Sequence, residues 1–377
     1  QHLPRDRRRI EREIDLRFFM RSVLVPLGRH DEWGAWIQGA ERLAREIADD
    51  ARLSNVLNYL SSLRWMHDRP REAIDLGRQA LAFARKTKHF SYQTAIMHHL
   101  GIFCFTTGDF AGQVRYHQAV RERLTGEAAY SQHGLSAFPG AWARAQLALG
   151  LAEMGIFDQI DQLAEEAVRI ADEVENALTL AATNCFIGTA LLRMGRLPTA
   201  LEHLEKGHRV CVDANVRFLH PYSAGALADG CLQAGEPAKA ISVLREATLP
   251  DCLERGVWTV HPLTVLADAY RCLQKDQLAM DTIERALKLA RESEERGFES
   301  WALATLARIY CEAGRLAEAE KWYRTALDQS AVLAMKPLTA VCFQGLGNVL
   351  RRSGRQRDAE SAFAKAADLV HSWQKVA

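Results

Sequence analysis

The chain has 377 residues, of which 48% are hydrophobic and 25% charged, with 48 Lys and Arg set against 47 Asp and Glu for a formal net charge of +1. The apolar content and only 10 prolines exclude disorder and collagen, and the charge balance lacks the basic excess of a nucleic-acid binder or a polybasic membrane-surface protein. No apolar run reaches the roughly 18 residues of a spanning helix, and eight scattered cysteines without a CxxC read as reduced, buried side chains of a cytoplasmic protein.

Taken in chain order, residues 1–13, with the run Arg5-Asp6-Arg7-Arg8-Arg9, read as a solvated lead-in segment or linker. From residue 14 a helical hairpin recurs. Its turn falls at Gly28, Asp68, Gly108, Gly155, Gly195, Gly235, Gln274, Gly314 and Gly354, spaced by 40, 40, 47, 40, 40, 39, 40 and 40 residues. Hairpins 1–3 occupy 14–124, an inserted loop 125–140, and hairpins 4–9 occupy 141–370, the last acting as a cap. Helix B repeats a small residue five places after the turn, at Ala73, Ala200, Ala240, Ala279, Ala319 and Ala359; Trp33, Gln113 and Ile160 are the exceptions.

The repeat is clearest near the C-terminus. Leu303-x-x-Leu306-Ala307-x-x-Tyr310-x-x-x-Gly314 with Ala319, Tyr323 and Ala326 has the same spacing as Phe343-x-x-Leu346-Gly347-x-x-Leu350-x-x-x-Gly354 with Ala359, Phe363 and Ala366. Large, small and large residues on one helix face open a hole that the next helix fills. These residues resemble the tetratricopeptide repeat, lengthened here from the usual 34 residues. The resemblance implies an all-α fold, a right-handed α-solenoid of about nine hairpins in which each unit touches only its neighbours and helix A lines the concave wall.

A second resemblance is carried by Arg17-Phe18-Phe19-Met20-Arg21-Ser22-Val23-Leu24-Val25-Pro26-Leu27-Gly28, by Gly134 to Arg144 with Leu151-Ala152-Glu153-Met154-Gly155, and by Leu219-His220-Pro221-Tyr222 through Gly235. These stretches are similar to the C-terminal repeat region of class III adenylate/guanylate cyclase proteins and of AAA/STAND-type ATPase regulators. The resemblance implies a sensor or partner-binding region that regulates an effector domain N-terminal to it.

No catalytic motif accompanies the repeats. There is no G-x-x-x-x-G-K-[ST] loop, no G-x-S-x-G elbow, and no HExxH or CxxC ligand spacing, so no enzyme activity, cofactor or metal is expected of these residues. His98-His99 with His117, and His203 with His208, read as half-buried structural histidines, and Glu165-Glu166 and Glu294-Glu295 as solvated surface charges.

The tetratricopeptide register places candidate binding residues on the concave wall: Asn58, Trp65, His98 and Trp142 in a neutral or apolar half, then Tyr222, Asp229, His261, Asp268, Arg271, Trp301, Arg308, Gln344, Asn348 and Arg351 in a charged, aromatic half. Such a wall suits a protein or peptide segment held by side-chain hydrogen bonds and a few anchors. The loop at 125–140, with Tyr130, Phe138 and Pro139, has two readings: a lid that closes over a small-molecule ligand, or a cover for apolar side chains. Three functions follow: a peptide- or protein-binding scaffold, the regulatory part of a cyclase or STAND ATPase, and a small-molecule sensor.

Overall fold

The computed structural model describes residues 6–24, 29–247 and 257–374; among them the regular structure is entirely helical, with eighteen α-helices and no strand. Hairpin 1 is α1 (Arg7–Leu24) and α2 (His30–Glu46), hairpin 2 α3 (Asp50–Met66) and α4 (Pro70–Lys86), hairpin 3 α5 (Phe90–Thr107) and α6 (Phe110–Arg123). A 3₁₀ turn at Gly126–Tyr130 precedes hairpin 4, α7 (Pro139–Glu153) and α8 (Ile160–Val174). Then come α9 (Ala177–Arg193) with α10 (Leu197–Asp213), α11 (His220–Gln233) with α12 (Pro237–Ala247), and α13 (Val260–Cys272) with α14 (Asp276–Glu292). The last two hairpins are α15 (Arg296–Glu312) with α16 (Leu316–Val332) and α17 (Lys336–Arg352) with α18 (Gln356–Gln374). None of the described helices is long and apolar enough to cross a membrane.

The repeat arithmetic corresponds to backbone geometry. Every described turn position, Asp68 through Gly354, has φ between 55° and 78°, the left-handed conformation that ends a helix; Gly28 lies outside the described residues. A second left-handed residue, which is not glycine, closes helix B of hairpins 1, 2, 4, 5, 7 and 8 before the next helix A begins: Ala48, Lys88, Glu175, Asn215, Glu294 and Ala334. The small-residue position of helix B is completely buried in all nine hairpins, including its exceptions Trp33, Gln113 and Ile160. Gln113 is tolerated there because its side-chain amide donates to the Gln146 side chain at 2.7 Å and to the Gln146 backbone carbonyl at 2.8 Å.

Helix packing shows why small residues recur. A Cβ on Gly347 would lie 2.5 Å from Phe363 Cε1, so α17 and α18 approach each other only because residue 347 has no side chain. Gly347→Leu is expected to destabilise the protein by about 1–3 kcal/mol through overpacking, read as a lower urea midpoint with an unchanged denaturant slope.

Two expectations need correction. Residues 7–13 belong to α1, because Ile10 and Ile14 bury one stripe of a helix whose other faces carry the arginines that suggested a lead-in. The hairpins also do not touch only their neighbours. α5 packs on α15 and α7 on α17, so the superhelix winds until its C-terminal hairpins meet its N-terminal ones. At the seam the turn at Gly108 lies against Gly297, where a Cβ on Gly108 would stand 3.0 Å from the Gly297 amide nitrogen. Arg71 on α4 pairs with Glu294 across the seam at 2.5 Å.

Glu294 and Glu295 are therefore not both solvated. Glu295 is 2% exposed, and burial with nearby Asp68 pushes its carboxyl up to about 8. Glu166 is also structural: hydrogen bonds from Arg121 and Arg144 outweigh its burial and hold it down at about 2.

Closure fills the axis of the N-terminal half. All fifteen residues of α7 are buried, whereas on α8 burial is confined to Ile160, Leu163, Ala167, Ile170 and Ala171, one stripe at helical spacing. A helix A that packs neighbours on every side cannot be amphipathic. Its partner helix B, facing solvent on the convex side, must be.

Candidate functional site

The structure separates the sequence-predicted wall into two parts. In the first part, Asn58, Trp65, His98, Trp142 and Tyr222 are buried. Asn58 Oδ1 lies 2.8 Å from His99 Nδ1, Trp65 Nε1 donates to Thr106 Oγ1 at 2.9 Å, and the Tyr222 hydroxyl donates to Thr189 Oγ1 at 3.2 Å. His98 packs among His99, His117 and Trp142 in tilted and edge-to-face contacts at ring distances of 5.5–6.0 Å. These residues form the plugged axis and offer no open wall. The reason is closure, which a register read from one repeat at a time cannot contain.

The second part is an open groove of about 1030 Å³ running from α9 to α18. Asp229, His261, Asp268, Arg271, Trp301, Arg308, Gln344 and Asn348 all line it. Arg351 does not line it; its guanidinium sits 5.6 Å from the Phe363 ring and donates to Asn348 Oδ1 at 3.0 Å, so it positions a groove residue from outside.

The floor of the groove is a ladder of alternating charge. Arg193, near the end of α9, pairs with Glu153 at 2.8 Å and Asp229 at 3.3 Å, and its guanidinium lies 4.3 Å over Trp301. Trp301 Nε1 reaches back to Glu153 Oε2 at 3.4 Å, joining α15 to α7. Burial opposes the charge on Arg193, but Glu153 and Asp229 outweigh it and raise its pKa further above the ordinary arginine value. Asp229 likewise stays ionised: burial alone would raise its pKa, while His261 and Arg193 hold it well below the usual carboxylate range.

One step further along, Asp268 is shared by Arg271 at 2.6 Å and Arg308 at 2.9 Å, and Arg271 also meets Glu312. Arg308 is the least neutralised cation of the ladder, with Asp268 as its only ion-pair partner among the described residues; its Nε is buried and unpaired. Beyond the ladder, Tyr323, Pro337, Ala340, Val341, Phe363, Ala367 and Val370 make an apolar shelf, edged by the amides of Gln344 and Asn348. The arrangement can therefore hold an extended segment by backbone hydrogen bonds to the amides, one charged contact at Arg308 and an apolar anchor on the shelf.

Sequence reasoning missed Glu153 and Arg193, which set the electrostatics of the floor. Their spacing of one repeat, near the C-terminal ends of consecutive A helices, was the available signal. No group of His, Cys, Asp and Glu among the described residues is arranged to hold a metal ion.

The loop at 125–140 lies elsewhere and lines no part of this groove. Its ends are clasped by Arg144, which donates to the carbonyls of Gly140 at 2.8 Å and Leu124 at 3.1 Å. Tyr130 receives a hydrogen bond from Arg169 at 2.6 Å, the Phe138 amide donates to Thr179 Oγ1 at 3.0 Å, and Pro139 is buried at the first turn of α7.

The tetratricopeptide repeat family profile matches residues 298–370, which span α15 to α18. No curated protein sequence matches the chain. Among solved structures, a Rap protein complexed with competence and sporulation factor is similar over 97% of this chain and 100% of its own, at 13% identity and a TM-score of 0.70. The Rap conjugation gene regulator of the plasmid pLS20, in complex with the Phr* peptide, is similar over 97% and 96%, at 13% identity and 0.59. A Signal Transduction ATPase with Numerous Domains from Pyrococcus horikoshii, with a tetratricopeptide repeat sensor, matches 96% of this chain and 53% of its own, at 14% identity and 0.52. Identities this low establish the fold alone. The C-terminal hairpins carry the tetratricopeptide sequence pattern, and the chain as a whole has the fold of a tetratricopeptide-type helical array.

Proposed function

We propose that the chain is a non-catalytic, peptide-binding regulatory module, and that its ligand is an extended peptide segment lying in the groove between α9 and α18. The observation that carries this reading is the division of the concave side: one half is filled by the protein's own aromatic residues, while the other is an open trough of about 1030 Å³ with amides, an undercompensated arginine and an apolar shelf. A protein of similar fold supports the same choice of ligand class, having been solved with the Phr* peptide. An effector joined or docked to the array is the natural reader of groove occupancy, as in the ATPase that carries a tetratricopeptide repeat sensor. That effector is a proposal of the same reading.

The test is selection of peptides from a random display library on the intact chain, followed by titration against groove variants. Arg308→Ala and Asn348→Ala are expected to weaken the selected peptides at least about tenfold, a loss of some 1.4 kcal/mol each, without lowering the melting temperature. Selected peptides that bind the variants as well as the native chain would place the site elsewhere. Metabolites that raise the melting temperature where no peptide does would favour the small-molecule reading instead.

A further inference from the structure

Trp258 stands apart from the other residues at its position in the repeat. It lies two residues before α13 and has φ of 76°, at the place where other hairpin links carry Ala48, Lys88, Glu175, Glu294 and Ala334. A bulky aromatic side chain is a rare occupant of this backbone region. Trp258 is 1% exposed, and its indole Nε1 is buried with no hydrogen-bond partner among the described residues. The side chain enters the axis of the superhelix and meets rings from four different hairpins: Trp65 at 5.6 Å, Phe105 at 5.8 Å, Phe186 at 6.3 Å and Tyr222 at 5.1 Å.

Three features mark this residue: the first two distinguish it from the rest of the core, and the third it shares with Trp33 and Trp142. It comes from a link and not from a helix face, so no helix fixes its place. Its backbone conformation disfavours its side chain. Its one polar atom is desolvated without compensation, which an all-carbon ring in the same space would avoid. The ring-lined space is well made; its occupant is not.

We propose that this space is a second ligand site, kept filled by the chain's own indole, which takes a planar aromatic group when the strap at residues 257–259 withdraws. The preferred ligand is a fused, flat, apolar ring without an N–H donor, because the cage presents edges and faces to the ring and, among the described residues, no acceptor to Nε1. The inference is independent of the peptide groove, since none of the four cage rings lines that groove.

The experiment has two arms, both on the full chain. In the first, Trp258→Gly relieves the backbone conflict and empties the cage. Indene and indole are each expected to raise the melting temperature of this variant in a saturable way, with indene binding at least about fivefold more tightly than indole because it leaves no donor unpaired. No saturable shift with either ring overturns the site, and equal or tighter binding of indole overturns the preferred ligand.

In the second arm the native sequence is labelled with fluorotryptophan, and the Trp258 resonance is assigned by its loss in Trp258→Phe. Addition of indene is expected to move that resonance toward the position of solvent-exposed fluorotryptophan. A Trp258 signal that stays fixed up to the solubility limit of indene makes the residue a permanent part of the core and overturns the proposal. This arm stands alone if the glycine variant does not fold.

Discussion

Lowering the pH from 7 to 5 is expected to remove several kcal/mol of stability, a large share of the roughly 5–15 kcal/mol typical of a folded domain. The cause is the cluster of His98, His99 and His117, all buried. Burial pushes His98 down to about 3, and it also holds His99, with Arg21 and His98 beside it, and His117, beside His98, well below the ordinary histidine value. A depressed histidine binds fewer protons folded than unfolded, so its contribution is intact above about 6.5 and is lost as pH falls toward the folded value. For His98 alone the loss at pH 5 is about 2 kcal/mol, and the other two act in the same direction. Glu295 has the opposite sign: with its carboxyl raised to about 8, its contribution is complete below about 4.5 and is lost as pH rises through 8. The urea midpoint is therefore expected to peak near neutral pH. Glu295→Gln should flatten the alkaline limb, and replacing His117 by Leu should flatten the acid limb.

Arg193→Ala is expected to cost about 3–5 kcal/mol, the usual penalty for breaking a buried ion pair by removing one partner. Its side chain is 6% exposed and that of Glu153 is 5% exposed, so the deletion strands a carboxylate where water cannot reach it. The same substitution removes the cation from the face of Trp301 and one of the charges that hold Asp229 ionised. Thermal unfolding measures the loss. Glu153→Gln/Arg193→Met together should recover the part of the loss that comes from Glu153, because that carboxylate is then gone, while Asp229 keeps the cost of losing Arg193. If Arg193→Ala melts like the native chain, the ladder is solvated and the groove floor is not a rigid surface. Trp301→Ala belongs with this test, since Trp301 is anchored to the floor as well as exposed to the groove.

The hairpins were legible in the sequence because their signal is local and periodic. A left-handed turn at a fixed interval, a small residue five places on and an aromatic four beyond that are each demanded by the contact of two adjacent helices. Closure was not legible, because it depends on small rotations accumulated over five hairpins. Asn58 and Gln344 occupy the same place on their A helices, ten residues before the turn, yet one is sealed inside and the other lines the groove. The residues that line the open groove, from Asp229 to Asn348, belong to the half read from the sequence as charged and aromatic, and the buried ones to the half read as neutral or apolar, Tyr222 excepted. Glu295 was misread because two adjacent glutamates look like surface charge until the seam buries one of them and leaves the other partly exposed.

Closure also has a consequence for how the molecule comes apart. An open array, each hairpin touching only the next, can shed repeats from either end one at a time. Here the bond between Trp301 and Glu153 joins positions 148 residues apart and Arg71 of hairpin 2 pairs with Glu294, so hairpins 2 to 9 share one loop of contacts and are expected to stand or fall in a single event. The C-terminal hairpins cannot be trimmed like beads from a string.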